Sequence, residues 1–239
     1  MNFLAAIGFL TIIPVPATTN DGRQVLYFPL VGLALGGMLY GVDHLLAPYT
    51  EIRIVVDVLF LAVISGALHL DGLADTADGF FSHRPRERIL EIMKDSRIGV
   101  MGVLALLFCI LLKLAGVAGV IHSESLIWLV LAPALGRTAQ VIGLVFVNHV
   151  PSEKMLAENF YQQGKFSLLI FCPLPFAILL YMDWLLGLAS LILFSLLLVS
   201  LLMWFKSKIG GITGDTLGAT TEIIEMTFLL MGGVSASIL

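Results

Sequence analysis

Charge is what this sequence has least of: 13% of its 239 residues are Asp, Glu, Lys or Arg, about half the share of a soluble domain. That excludes an ordinary solvated globule. Two cysteines, Cys109 and Cys172, both fall inside apolar segments, so neither a disulfide framework nor a cysteine metal site is available, and both read as small buried hydrophobes. No soluble domain, low-complexity tract or internal repeat is evident, and no nucleic-acid partner is expected. What is there is 59% hydrophobic, with a mean hydropathy of +1.00. The chain reads as an integral membrane protein in the lipid bilayer.

A spanning helix needs roughly 20 apolar residues, because hydrocarbon offers backbone groups no partner outside the helix itself. The length leaves room for an all-α polytopic bundle of about seven transmembrane helices, a single membrane domain over 1–239. Residues 1–13 resemble the apolar core of a signal peptide. They lack a basic flank, and Pro14 and Pro16 stand where a cleavage site would be, so a retained interfacial or re-entrant piece is expected. Spans are expected over Tyr27–Ala47, Ile52–Leu70, Ile98–Ile121 and Leu126–Val147. Gly32-x-x-x-Gly36 and Gly37-x-x-x-Gly41 on the first read as packing glycines. Residues 148–166 form a polar loop. Ser167 to Phe205 is apolar throughout and, at about 58 Å as one helix, must be two spans, turning at Tyr181–Trp184. A polar island at Lys206–Glu225 precedes the last span.

This arrangement sends Arg23, Arg84, Arg86, Arg88, Lys94, Arg97, Lys154, Lys165, Lys206 and Lys208 to one side and leaves Arg53 alone in the loops of the other. By the positive-inside rule both polar islands face the cytoplasm.

The chemistry is concentrated in the first island, His69–Gly99. Asp71, Asp75 and Asp78 follow an i, i+4, i+7 spacing, which on a helix keeps three carboxylates within about 60° of one another. Held out of water, like charges on one face need a compensating cation, and oxygen-only donors with few carboxylates suit Mg²⁺; the alternative is a solvated acidic helix end. Pro85 opens a short helix with Ile89, Leu90, Ile92 and Met93 on one face, an interfacial helix or a lid carrying cations. Arg97 offers a fork for phosphate, and Asp95 or Ser96 is placed to cap the next span. Arg137, mid-span, marks either a site or a buried ion pair. Lys113 is less informative, the scattered histidines read as boundary residues, and His69 points away from the acidic face. In the second island Gly210–Thr216 has the exposed-amide character that can cradle an anion, and Asp215 with Glu222 repeats the i, i+7 spacing.

The runs Phe9–Pro16, Phe28–Gly36, HLDGLADTADG at His69–Gly79, RERILEIMKDSRIG at Arg86–Gly99, Gly136-Arg137 and GGITGDTLGA at Gly210–Ala219, in this order, closely resemble the cobalamin synthase, or adenosylcobinamide-GDP ribazoletransferase, family. The resemblance implies the last assembly step of the cobalamin nucleotide loop. Adenosylcobinamide-GDP would react with α-ribazole or its 5′-phosphate to give adenosylcobalamin or its phosphate, with release of GMP. It implies Mg²⁺ held by Asp71, Asp75, Asp78 and Asp215, with Asp75, Asp78 and Asp215 catalytic and Asp215 either completing the shell or accepting the nucleophile's proton. Lys94, Arg97 and Arg137 would steady phosphate oxygens, Asp95 would take part in binding substrate, and Gly211, Thr213 and Gly214 would lie against a nucleotide. A homo-oligomer is left open. A CDP-alcohol-type phosphotransferase is the nearest alternative, but its single spaced aspartate motif is absent. A cation transporter would distribute its ionisable groups at midplane, whereas most acids here sit at one rim.

Overall fold

The computed structural model describes residues 2–16, 22–150 and 165–235. They form ten α-helices: α1 (Asn2–Leu10), α2 (Phe28–Leu45), α3 (Thr50–Ile64), α4 (Leu68–Phe80), α5 (Arg86–Ile92), α6 (Val100–His122), α7 (Ile127–Phe146), α8 (Leu174–Met182), α9 (Trp184–Ile209) and α10 (Gly214–Ser235). The only strand-like pairing among them is a parallel bridge between His149 and Ile212. Five stretches are long and apolar enough to cross a bilayer: residues 23–45, α6, α7, α9 and α10.

The expected second span is instead broken. α3 ends at Ile64, and α4 leaves at 84° to it. Gly66 at φ +59° and Ala67 at φ +58° make the corner; two successive left-handed residues reverse the helical path, and a Cβ at the first would be strained. If the bent pair counts as one span there are six. The other short piece is residues 166–182, where Pro173 and Pro175 confine the α-helix to nine residues. The expected turn at Tyr181–Trp184 is present, with the Asp183 side chain accepting the Leu186 N–H at 3.0 Å to cap α9. Among the described residues, length and composition therefore support five or six spans, and the expected count of about seven is not established.

α7 is the hub and is buried along most of its length. α2 packs on it because Gly32 and Gly36 carry no side chain: a Cβ on Gly32 would lie 2.6 Å from the Ala134 Cα. Gly37 and Gly41 face open space, so only the first of the two glycine pairs is a packing seam. At the far end of α2 the fully buried Asp43 meets Arg53 of α3 at 3.4 Å. α1 lies beside α2, with Phe9 and Phe28 stacked at 5.7 Å.

The last helix begins earlier than its composition suggests. α10 starts at Gly214 and takes in most of the second polar island. Thr220, Thr221 and Thr227 return their hydroxyls to the carbonyls four residues back at 2.7–3.0 Å, so a threonine-rich stretch satisfies its own polar groups and can be buried.

Candidate active site

Two missing side chains bring α4 onto the start of α10. A Cβ on Gly72 would fall 2.7 Å from the Asp215 carbonyl oxygen, and one on Gly218 would fall 3.2 Å from the His69 backbone. The first turn of α10 is closed by Thr213 and Thr216: the Thr213 N–H donates to the Thr216 hydroxyl at 2.8 Å and the Thr216 N–H to the Thr213 hydroxyl at 3.2 Å. This reciprocal cap fixes where the helix begins. The loop before it is held by residues 148–150, through Ile212 N–H to Asn148 O at 3.0 Å and Val150 N–H to Ile212 O at 2.9 Å.

A cavity of about 530 Å³ opens where these elements meet. Its lining includes Asp71 and Asp75 of α4, Lys94, Asp95 and Ser96 after α5, His149, and Thr213, Gly214 and Asp215 at the head of α10. α5 forms one wall because Gly79 admits it: a Cβ there would meet the Met93 Cγ at 2.6 Å. Arg86 latches α5 to the C-terminus of α9, donating from Nε to the Ile209 carbonyl at 2.7 Å, where a cation also meets the negative helix end. A side chamber of about 140 Å³ continues from the cavity and shares Phe9, Leu68, Asp71, Gly214 and Asp215 with it; His69, Phe28, Gln140, Leu144 and Leu217 complete its wall. The site thus sets four carboxylates, one lysine and a helix N-terminus around one space. Carboxylates together with a cation and a helix N-terminus suit a ligand that brings both phosphate and metal.

Of the residues expected from sequence, Asp71, Asp75, Lys94, Asp95, Thr213, Gly214 and Asp215 line the cavity. Asp78, Arg97, Arg137 and Gly211 are outside that lining. Asp78 turns to α6, its two oxygens accepting the Gly99 and Gly102 N–H groups at 2.7 and 2.8 Å. The cap expected from Asp95 or Ser96 is therefore made by Asp78, with Gly99 as the N-cap residue. Arg97 is held at the surface by Asp95 through bonds of 3.0 and 2.7 Å, which draw the Asp95 carboxyl down to about 2 and raise the Arg97 guanidinium. Gly211 packs against Asn148. Arg137 is 1% exposed and paired with Glu225.

Sequence reasoning undervalued two features. Lys113 is not incidental: it reaches Glu222 at 2.7 Å and Glu225 at 2.8 Å, so α6, α7 and α10 share a buried cluster of two cations and two carboxylates. The matching number of buried charges was the available signal. His149, a boundary residue by its sequence position, is brought into the cavity wall by the bridge to Ile212; no local pattern announces that pairing.

Among the described residues, no three His, Cys, Asp or Glu side chains converge closely enough to hold a metal ion by themselves. Asp71, Asp75 and Asp215 nevertheless offer oxygen donors to one cavity, which fits Mg²⁺, an ion that completes its shell with water and substrate phosphates.

Fold and site together define a multi-pass α-helical membrane protein with an acidic, phosphate-compatible cleft at one rim of its bundle. Comparison with known proteins then sharpens the class. The chain belongs to the cobalamin-5-phosphate synthase family, whose model matches residues 2–233. It is 38% identical to the adenosylcobinamide-GDP ribazoletransferase of Klebsiella pneumoniae strain 342, over 96% of this chain and 98% of that one. The enzyme of the same name from Clostridium botulinum strain Langeland is 38% identical over 96% of both chains, and that of Geotalea daltonii is 36% identical over 97% and 98%. No solved structure matches the chain.

Proposed function

We propose that this protein is the membrane transferase that joins adenosylcobinamide-GDP to α-ribazole, or to α-ribazole 5′-phosphate, giving adenosylcobalamin or its 5′-phosphate and GMP. Family membership supports the reaction. The observation that carries the site is the set of Asp71, Asp75 and Asp215 sharing one cavity with Lys94 and the head of α10.

The ribose 3′-oxygen forms a bond to the cobinamide-side phosphorus, and the bond from that phosphorus to the oxygen leaving with GMP breaks. Asp215 or Asp75 takes the hydroxyl proton, since a carboxylate must lie within hydrogen-bond reach of the group it deprotonates. Lys94 and the N–H groups at the start of α10 hold phosphate oxygens and offset the charge that builds on GMP. Asp71, Asp75 and Asp215 would hold Mg²⁺, which when bound neutralises the pyrophosphate. Asp78 acts at a distance, by fixing α6 against α4. α5, latched by Arg86, walls the cavity on one side and helps limit water at the reacting phosphorus.

Arg23, Arg84, Arg86, Arg88, Lys94, Arg97, Lys206 and Lys208 all belong to segments at the cavity end of the bundle, which supports a cytoplasmic face for the site in a bacterial inner membrane. The reaction is tested with purified protein in liposomes. Adenosylcobalamin or its phosphate should appear together with GMP, only when both substrates are present, and EDTA should abolish turnover with Mg²⁺ restoring it. Folded protein giving no product would contradict the proposal.

A further inference from the structure

We infer that the 140 Å³ side chamber is the binding site for the base of ribazole, a flat benzimidazole ring; this rests on the reaction proposed above. The chamber's inner wall is apolar and well buried: Phe28 is 2% exposed, Leu144 4% and Leu217 8%. Phe9 and Phe28 stack with ring planes 10° apart, an aromatic wall suited to a planar ring. A cavity of about 150 Å³ lined by Leu, Ile and Phe takes up benzene, so a chamber of this size holds one small ring system whose polar end reaches through the mouth. It is not dry throughout. His69 and Gln140, 2% and 5% exposed, meet across it with Gln140 Nε2 and His69 Nδ1 3.5 Å apart, while His69 Nε2 and Gln140 Oε1 are buried without a hydrogen-bond partner. Buried polar atoms left in that state cost stability unless a ligand or water pairs with them.

These features discriminate among the flat groups the reaction brings. Guanine carries hydrogen-bonding atoms around most of its edge, and the apolar walls would leave them unsatisfied. A benzimidazole has an apolar carbocycle and a single polar edge, matching apolar walls with one polar pair. The mouth is bounded by Asp71, Gly214 and Asp215, which are shared with the main cavity. A ring seated in the chamber therefore places its ribose beside Asp215, one of the two carboxylates proposed to accept the 3′-hydroxyl proton.

The test is substrate selection in liposome-reconstituted protein carrying Leu144→Phe or Leu217→Phe, which fill the chamber, and Leu144→Ala, which enlarges it. Filling should raise KM for α-ribazole about tenfold or more, the size of effect one or two carbons have in an apolar pocket, with KM for adenosylcobinamide-GDP within about twofold of wild type. It should also shift preference from the dimethylbenzimidazole riboside to the unsubstituted benzimidazole riboside, and Leu144→Ala should shift it the other way. Such a reciprocal change is not produced by general misfolding. An active wild type whose variants keep base preference, or lose affinity for adenosylcobinamide-GDP instead, would overturn the chamber assignment alone. A folded wild type that makes no product would overturn it together with the reaction.

Discussion

Asp78 on α4 accepts the Gly99 N–H at 2.7 Å, joining the acidic helix to the first turn of α6 across the whole of α5. With the second oxygen on Gly102 at 2.8 Å, one side chain satisfies two of the four N–H groups that a helix start leaves open. Asp78→Ala should lower stability by about 1–3 kcal/mol, read as a drop in thermal unfolding midpoint in detergent, with Asp78→Asn falling between it and wild type. A variant as stable as wild type would show that α6 needs no such cap.

Lys113, Arg137, Glu222 and Glu225 balance one another within the bundle. Removing one leaves a buried charge unmatched, at a cost of about 3–5 kcal/mol. Lys113→Met should therefore destabilise strongly. Lys113→Met combined with Glu222→Gln should recover much of the loss, as measured by a double-mutant cycle on unfolding free energies.

Gly72→Ala tests the approach of α4 to α10. Its Cβ would lie 2.7 Å from the Asp215 carbonyl oxygen and 2.9 Å from its Cα, both backbone atoms that cannot rotate away. The helices must separate, so Gly72→Ala should reduce turnover at least about tenfold, because misplacing a reacting group by 1 Å has effects of that order or more. Gly37→Ala, with nothing within 4 Å, should leave activity unchanged.

The Asp95–Arg97 pair sets an acid-side dependence. The folded carboxyl titrates near 2, against an ordinary value of 3.8, because Arg97 donates hydrogen bonds to it. A lowered carboxylate pKa contributes stability that is fully present above pH 3.8 and is lost as pH falls toward 2. Asp95→Asn should remove that part of the stability–pH profile. Both side chains lie at the surface, so the effect should be small and weaken further in high salt.

How far the sequence carried this reading depended on whether the signal was local. The helical phase of Asp71 and Asp75 and the short helix opened by Pro85 follow from spacing and turn chemistry within a few residues, and the structure places both as expected. The corner at Gly66-Ala67 was hidden because Ser65, Gly66 and Ala67 are small and apolar enough to continue a span. The start of α10 was hidden because its threonines look like a loop until their hydroxyls are seen to serve their own helix. The partners of Asp78 and Lys113 lie 21 and more than 100 residues away, and only assembly of the bundle brings them together. Asp78 shared a helical face with the other acids in the sequence, and tertiary contact drew it to α6.

The most direct test of the central claim, that the Asp71–Asp75–Asp215 cavity is the active site, is product formation by Asp75→Ala in the liposome assay at saturating Mg²⁺. The wild type should convert adenosylcobinamide-GDP and α-ribazole with stoichiometric GMP, and Asp75→Ala, folded by its unfolding transition, should lose at least about a hundredfold in turnover. Turnover by Asp75→Ala at the wild-type rate would contradict the account and move the reaction away from this cavity.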